Sequence, residues 1–440
     1  MSAKERSLPT HRLSRFSKFA SLATRVAGNV IAEGTKQIAQ GNKPKAKDLL
    51  LTPQNITRLT TQLAHLRGAA MKMGQMLSMD AGDVLEPELA EILSRLRSDA
   101  DPMPAKQLNS TLVNALGDNW KEGFLAFNFK PIASASIGQV HQAYSDDGTK
   151  LAVKVQYPGV RKSIDSDVDN VGTLLKMVGL IPDSVDYKGL LNEAKLQLHD
   201  EADYLREAKY AQRYHHVLEG NPHFVVPKIV DQSSSDSVLT MAFIEGKTIE
   251  SIGEQDQQTR NHVMHQLIDL LFKELFEFRM VQTDPNFANY LYMEETKQIG
   301  LLDFGATREY DERFSNGYRC AFQAVLDNDE SALNQALEKI GFFSQDIRSS
   351  QRQAILNLVK MACEPMLNDE EYDFKQSGLA QRIREAGTVL SMEQDYWHTP
   401  PADALFLHRK IGGMYLLAAR IDAKVNIHQL VTPYLMANTK

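Results

Sequence analysis

The sequence predicts an α+β protein with two lobes and a helical extension before the first lobe. Helical periodicity dominates up to about residue 128 and again after about residue 255, whereas short strand-like runs are concentrated between them. Gly246 interrupts the chain where the strand-rich block ends. The predicted segments are 1–50, a helical extension at 51–129, a strand-containing lobe at 130–245 and a mostly helical lobe at 246–440.

The first segment is strongly basic. It holds ten Lys and Arg residues against three acidic ones, a local charge of +7, while the other 390 residues carry −14. Apolar residues at helical spacing alternate there with Arg12, Arg15, Lys18 and Arg25. A basic amphipathic helix suits an anionic membrane surface. A solvated helix that packs one face on its own protein would show the same pattern.

The helical extension begins with one long amphipathic helix, predicted from about Asn55 to Met79. Its apolar stripe is interrupted by Lys72, Gly74 and Gln75. Lys72 and Gln75 are one turn apart and can project from one face, and Gly74 permits close approach of another backbone or ligand. A surface lysine beside a packing glycine is the alternative interpretation. Shorter helices are predicted at 87–96 and 105–116.

The strand-containing lobe opens with a predicted hairpin. Strand-like runs at Gly138–Tyr144 and Leu151–Gln156 flank Asp146-Asp147-Gly148, a strong turn signal. Alternation in the second strand directs its large apolar residues to one face and Lys154 to the other. A single helix is predicted over about 188–218, followed by extended runs at 224–229 and 238–243.

The last segment combines a long helix, predicted over about 255–280, with a hairpin formed by residues 290–293 and 299–302. Asp284 and Asn289 precede this hairpin, and Asp303-Phe304-Gly305 follows it. Phosphoryl transfer needs one carboxylate beside the incoming hydroxyl, and an amide oxygen and a second carboxylate that hold Mg²⁺. An upstream strand lysine such as Lys154 would hold the α- and β-phosphates of ATP. The order of these residues along the chain, with the lysine upstream of both aspartates, predicts a protein-kinase-like nucleotide site.

The chain resembles the UbiB/AarF family of atypical protein-kinase-like proteins, in particular the branch close to the mitochondrial coenzyme Q kinase-like proteins. The resemblance runs from about Leu51 to near the C-terminus. It rests on the motifs Lys72-Met73-Gly74-Gln75, the alanine-rich loop Ala133-Ser134-Ala135-Ser136-Ile137-Gly138-Gln139-Val140, Glu201-Ala202-Asp203, "QTDPNFAN" and "DFG".

This resemblance implies ATP and Mg²⁺ in a cleft between the lobes. Lys154 would be the phosphate lysine and Glu207 its helix partner, Asp284 would stand at the catalytic aspartate position, and Asn289 and Asp303 would bind Mg²⁺.

The resemblance also implies that the helix with Lys72 and Gln75 covers the nucleotide, with Lys72 near Glu201 and Asp203. The alanine-rich loop, residues 133–138, would contact the nucleotide as well. Because Glu201 and Glu207 lie on one predicted helix, Glu201 competes with Glu207 as the partner of Lys154.

Two features differ from an ordinary protein kinase. The methyl and hydroxymethyl groups of "IASASIG" stiffen the turn that is glycine-rich in kinases, which predicts altered nucleotide handling. Ser134 stands where relatives tend to have alanine, so nucleotide selectivity is left open. No Ala-Pro-Glu anchor follows "DFGATREY", which disfavours a peptide substrate.

The resulting hypothesis is an atypical kinase-like ATPase that supports biosynthesis of ubiquinone or a related prenylated quinone at a membrane surface. A small-molecule or lipid phosphotransferase and a non-catalytic nucleotide-binding scaffold are the alternatives. The expected partners are ATP, a lipid or quinone precursor, an anionic membrane surface and other quinone-biosynthesis enzymes. Homodimerisation is left open.

Other classes fit the sequence poorly. The acidic body argues against nucleic acid as a partner. The clustered His199, His215, His216 and His223 lack a zinc-binding pattern. The sequence has only two cysteines, without metal-ligand spacing, and it has no long apolar window and no secretory signal. These features predict a cytoplasmic protein. The basic segment places it peripherally on the inner face of the membrane.

Overall fold

The structure is a computed structural model, which describes residues 55–57, 60, 63, 66–81, 92, 102–177, 181, 187–343, 346–392 and 401–436. The basic segment 1–50 lies outside these residues, and the helix predicted at 87–96 is described at residue 92 alone. The described residues divide into two compact units, one formed by those within 55–209 and 228–243 and the other by those within 210–227 and 244–436.

The described chain contains both helices and strands. The α-helices are α1 Arg67–Ala81, α2 Ala105–Leu116, α3 Val160–Met177, α4 Tyr187–Glu201, α5 Tyr204–Val217, α6 Gln257–Lys273, α7 Glu312–Leu326, α8 Glu330–Ile340, α9 Ser349–Ala362, α10 Phe374–Ser377, α11 Leu379–Met392, α12 Ala402–Arg420 and α13 Ile427–Met436. The strands are β1 Ala126–Phe127, β2 Ala133–Ser134, β3 Gly138–Tyr144, β4 Lys150–Gln156, β5 Phe224–Val225, β6 Val238–Ala242, β7 Lys247–Thr248, β8 Met280–Gln282, β9 Tyr290–Met293, β10 Gln298–Leu301, β11 Thr307–Glu309, β12 Tyr372–Asp373 and β13 Lys424–Val425.

The first unit contains an antiparallel sheet in the order β1-β3-β4-β6, with β2 also paired to β3. The predicted β3–β4 hairpin is confirmed, and Gly148 adopts the positive φ of 83° that its turn requires. Side chains of β4 alternate between buried and half-buried, which places Lys154 on the face opposite the core. That core also holds Leu108 and Leu112 of α2 together with Trp120.

Helix α1 packs against α3 and α4 in the same unit. The interpretation of the sequence had missed α3, although Ile164, Val168, Val171 and Leu175 are buried at helical spacing and carried the signal. Charged residues between these positions make the stripe harder to recognise. Gly172 lets α4 approach, since an added Cβ would lie 2.4 Å from a methyl carbon of Leu191.

The single helix predicted over 188–218 is wrong, because α4 ends at Glu201 and α5 begins at Tyr204. The side-chain amide of Gln156 donates to the carbonyl oxygen of Ala202 at 2.8 Å. Asp203 then caps α5, accepting the backbone N–H of Arg206 at 3.1 Å. The buried Gln156 and the capping Asp203 therefore separate two helices, although the apolar pattern of the sequence continues across the break.

The second unit contains a four-stranded sheet in the order β5-β10-β9-β7 and a separate β8–β11 pair. The predicted β9–β10 hairpin is confirmed. The extended run at 224–229 was expected in the strand-containing lobe, yet β5 pairs in parallel with β10 of the second unit. Gly246 is more than a linker residue, since an added Cβ would lie 2.9 Å from Leu291 Cβ.

The long helix predicted over 255–280 ends its α-helical part at Lys273. A π-helical turn, Glu274–Phe278, follows, and Arg279 closes it in the left-handed region at φ 50°. This turn directs Glu274 into the interior, where the residue is 1% exposed. Among the described helices, none combines the length and apolar character needed to cross a bilayer.

Candidate functional site

Lys154 and Glu207 form an ion pair in the first unit. The Lys154 ammonium lies 2.9 Å from both carboxylate oxygens of Glu207, on the first turn of α5. Glu207 is 1% exposed, whereas Lys154 retains 13% and lies 5.0 Å from the centre of the Tyr204 ring. Of the two glutamates that the sequence left in competition, the structure places Glu207 beside Lys154.

Glu201 has a different partner, Lys72. The Lys72 ammonium lies 2.5 Å from Glu201 Oε1, and the Ser136 hydroxyl donates to Glu201 Oε2, also at 2.5 Å. Lys72 is 3% exposed, so this cation lies in the interior instead of on the surface of α1. The contact joins three of the sequence motifs, since α1, the alanine-rich loop and the end of α4 each contribute one side chain.

The alanine-rich loop is the turn of the short β2–β3 hairpin. Ala135 donates its backbone N–H to the Gly138 carbonyl at 2.9 Å, which closes the turn. Only glycine fits at 138, because an added Cβ would lie 2.4 Å from the Val155 carbonyl oxygen. The loop is therefore fixed against the strand that carries Lys154.

Gly68 provides a close approach of the kind that the sequence predicts at Gly74, about one and a half turns earlier on α1. A Cβ at Gly68 would lie 2.9 Å from the carbonyl oxygen of Ser136, so α1 packs directly on the alanine-rich loop there. Sequence reasoning missed Gly68, although a glycine one turn before Lys72 was the available signal. The predicted projection of Gln75 concerns a side chain outside the described part.

Asp284 and Asn289 are joined by a hydrogen bond in the second unit. The Asn289 side-chain amide donates to Asp284 Oδ2 at 3.0 Å. Asn286 caps the short turn between them by accepting the N–H of Ala288 at 3.2 Å. Because the amide nitrogen of Asn289 is used in this bond, its oxygen is the atom that can bind a cation.

Asp303 lies next to Asn289 across the β9–β10 hairpin. The backbone N–H of Leu302 donates to the Asn289 carbonyl at 3.0 Å. Asp303 Oδ1 accepts the N–H of Gly305 at 2.9 Å, and the buried Phe304 ring packs 4.7 Å from that of Tyr214. The hydrogen bond orients the Asp303 carboxylate, and the buried Phe304 anchors the backbone next to it.

An amide oxygen and a carboxylate are hard oxygen donors that suit Mg²⁺. In the described residues no group of three or more His, Cys, Asp and Glu side chains could hold a metal ion. Asn289 and Asp303 supply two oxygen donors, and Mg²⁺ that is bound together with a nucleotide commonly takes its remaining ligands from phosphate and water.

A buried polar cluster lies beside the Asp284 loop, and the sequence interpretation did not include it. Lys410 of α12, 2% exposed, donates to the Tyr290 hydroxyl oxygen at 2.5 Å and to Gln282 Oε1 at 3.2 Å. Glu274 Oε2 lies 3.8 Å from its ammonium. Burial alone lowers the pKa of Lys410, but the negative charges of Glu274 and Asp284 contribute to raising it above its ordinary value, so the side chain is an ammonium. A cation inside an apolar helix, the signal that singled out Lys72, was also present here.

A profile described as "ABC1 atypical kinase-like domain" matches residues 95–337 of the chain. Among curated proteins, the chain is 37% identical over 429 residues to "Atypical kinase COQ8, mitochondrial" of Saccharomyces cerevisiae, covering 97% of this chain and 85% of that protein. It is 36% identical to "Atypical kinase COQ8B, mitochondrial" of Danio rerio, covering 97% of this chain and 69% of that one.

Among solved structures, a complex of Rv3197 with erythromycin from Mycobacterium tuberculosis is similar to the chain, with 25% sequence identity and a TM-score of 0.59. The match covers 86% of this chain and 95% of that one.

Proposed function

The chain belongs to the ABC1 atypical kinase-like family, and from this premise we propose that it is an atypical kinase-like ATPase in ubiquinone biosynthesis. The protein-kinase-like fold and the family resemblance predicted from the sequence are confirmed by these comparisons. The observation that carries the proposal is the pair of Lys154 with the buried Glu207, because a lysine fixed by a helix glutamate is what binding of the ATP phosphates requires.

Each residue has a defined task in the proposed reaction. The Lys154 ammonium binds oxygens of the α- and β-phosphates, and Glu207 keeps that ammonium in place. Asp284 accepts a hydrogen bond from the attacking water or hydroxyl and takes up its proton as the new bond to the γ-phosphorus forms. The bond from that phosphorus to the β,γ-bridging oxygen breaks in the same step, and ADP leaves. Asn289 and Asp303 would hold Mg²⁺, which supplies positive charge against the phosphate oxygens.

The segment after Asp303 favours ATP hydrolysis or a small acceptor over a protein substrate. β11, Thr307–Glu309, pairs with β8, and α7 already begins at Glu312. A protein kinase uses a longer activation segment at this point, anchored by Ala-Pro-Glu, to dock a peptide. Two residues between strand and helix leave no room for such a platform.

The role in the quinone pathway is proposed from the names of the relatives, and the membrane contact is proposed from the sequence. The yeast and zebrafish relatives are named as mitochondrial COQ8 proteins. The +7 charge of residues 1–50 supports contact with anionic lipid. We place the protein at such a surface, where it uses ATP to act on a lipid or quinone precursor with other enzymes of the pathway.

The proposal is tested by ATP turnover, measured with and without anionic vesicles and a phenol-like quinone precursor. Asp303→Asn removes one cation ligand and Glu207→Gln removes the counter-charge of Lys154, so each should lower turnover at least tenfold. Glu219→Gln, at an exposed position just after α5, and Asp118→Asn, in an exposed turn, are the matched controls.

Turnover and Mg²⁺-dependent nucleotide binding that both survive Asp303→Asn contradict the site assignment. The product distinguishes the alternatives, since free phosphate indicates hydrolysis and a stable phosphorylated lipid or small molecule indicates a phosphotransferase. Tight nucleotide binding without turnover, even with vesicles present, indicates a scaffold.

A further inference from the structure

The loop that carries Asp284 is bracketed by two residues that contact the same lysine. Gln282 ends β8 two residues before Asp284, and Tyr290 begins β9 directly after Asn289. Lys410 donates to the side-chain oxygens of both, at 3.2 and 2.5 Å. One buried ammonium on α12 therefore ties together the two ends of a loop that is seven residues long in sequence.

Glu274 connects this lysine to the backbone of the same loop. Its Oε1 accepts the backbone N–H of Gln282 at 3.3 Å and lies 2.6 Å from the Tyr214 hydroxyl. Its Oε2 lies 3.8 Å from Lys410, and both residues are almost completely buried. A π-helical turn, an uncommon element that is often found at functional sites, is what brings Glu274 to this position.

A second contact from α12 reaches the loop itself. Gly413 follows Lys410 by one helical turn and so lies on the same face of α12. A Cβ built on Gly413 would lie 2.5 Å from Pro285 Cβ and 3.3 Å from Pro285 Cα. Pro285 is the neighbour of Asp284, and its ring has little freedom to move away.

We infer that Lys410 and Gly413 are positioning residues for Asp284: Lys410 anchors both ends of its loop, and Gly413 lets the loop rest directly on α12. This inference rests on the proposed function, because it assigns Asp284 a role in turnover. It explains why an apolar helix far along the chain carries a buried cation and a glycine. Neither residue is among those assigned to the nucleotide, so a change in either should act on the rate of turnover and not on nucleotide affinity.

Adjacent glycines on α12 provide a matched pair of variants. Gly413→Ala places a methyl group against Pro285, whereas Gly412→Ala meets no atom within 4 Å. Both changes favour the helix equally, because alanine has the higher helix propensity. We expect Gly413→Ala to lower kcat at least tenfold with the KM for ATP and the affinity for Mg–ADP within twofold of wild type. Gly412→Ala should match wild type in all three.

The lysine is tested with its charge partner, because Lys410→Met alone leaves Glu274 buried and uncompensated and could impair folding. In Lys410→Met with Glu274→Gln no unpaired charge remains, so thermal stability should recover relative to the single variant. If Lys410 acts by positioning, kcat of the double variant stays at least tenfold below that of wild type even though its thermal stability has recovered. Recovery of both stability and kcat overturns the inference for Lys410.

Hydrogen–deuterium exchange of the amides in residues 283–289 gives a readout that does not depend on activity. Faster exchange in Gly413→Ala than in Gly412→Ala supports the inference, and equal exchange with equal kcat overturns it. Asp284→Asn separates this outcome from failure of the proposed function. If that variant retains full turnover, the proposed function is wrong, whatever the exchange at the loop shows.

Discussion

A single salt bridge excludes a surface position for Lys72. Sequence reasoning left a lysine in an apolar helix as either a packing feature or part of the nucleotide chemistry, and the structure buries it against Glu201 with the Ser136 hydroxyl on the second oxygen. A buried cation with a specific carboxylate is costly to maintain for stability alone. The arrangement ties α1 to the loop that the sequence assigns to the nucleotide.

We therefore expect Lys72→Ala to change ATP turnover and nucleotide affinity by at least fivefold. Its free energy of unfolding should fall by no more than about 3 kcal/mol. Glu201 keeps its hydrogen bond from the Ser136 hydroxyl, and its side chain remains 15% exposed to water. Turnover assays and urea unfolding of the same preparations measure the two effects. Ser136→Ala, which removes the second contact of Glu201, should shift turnover in the same direction. A Lys72→Ala protein that melts earlier but handles ATP as wild type does would assign the motif to packing.

At the scale of an element, the break between α4 and α5 positions Glu207. Asp203 caps α5 through its carboxylate, and its own carbonyl oxygen accepts the first helical hydrogen bond, from Glu207 at 3.0 Å. Asp203→Ala should lower the free energy of unfolding by about 1 kcal/mol, and Asp203→Asn should keep the cap. Urea unfolding and ATP turnover of both variants separate two roles for Asp203. Full turnover in Asp203→Asn limits the residue to capping, whereas loss of turnover with intact stability indicates a second role for Asp203 at the nucleotide site.

Helix α12 also carries a histidine whose burial gives the protein a pH dependence. His408 Nε2 lies 2.8 Å from the Tyr318 hydroxyl, and its ring packs beside Phe342. Burial lowers the pKa of His408 to about 4, below its ordinary value near 6.5. The unfolded chain therefore binds a proton at a pH where the folded protein does not. The stability that this neutral ring contributes is complete above pH 6.5 and is lost as the pH falls towards about 4.

The loss over that interval should not exceed about 3 kcal/mol, because the residue keeps partial contact with water. Urea unfolding between pH 7.5 and 4.5 measures it. His408→Gln, whose amide can still bond to Tyr318, should flatten the profile. His216→Gln, at an exposed position of α5, is the control and should leave it unchanged. Equal pH profiles in wild type and His408→Gln would contradict this account.

Elements set by local pattern were predictable, and those set by tertiary contacts were not. The β3–β4 and β9–β10 hairpins follow from alternation and turn residues that are close in sequence. The end of α4 depends on Gln156, which lies 46 residues before the carbonyl that it contacts. Lys410 and Glu274 are 136 residues apart in sequence, so no local pattern could show that they meet. Some residues of the site could therefore be predicted from the sequence. The residues that position them could be identified only from the folded structure.

At the scale of the whole molecule, charge is divided unevenly along the chain. Residues 1–50 carry +7 and the remainder carries −14. Acidic proteins are repelled by anionic membranes, so attraction to such a surface depends on the local density of basic residues, each of which contributes about 1 kcal/mol near it. The basic segment should therefore govern membrane association although the net charge is negative.

This is tested with two variants that change the net charge equally. One replaces Arg12, Arg15, Lys18 and Arg25 by glutamine, and the other replaces the exposed Lys106, Lys130, Lys228 and Lys339. The first should weaken binding to vesicles that contain anionic lipid at least tenfold and abolish vesicle stimulation of ATP turnover, and the second should change neither by more than twofold. The difference should shrink at 0.5 M salt, where charges are screened within a few ångströms. If both variants bind vesicles as wild type does and the first only unfolds more easily, the basic segment packs on its own protein, which is the alternative that its periodicity allowed.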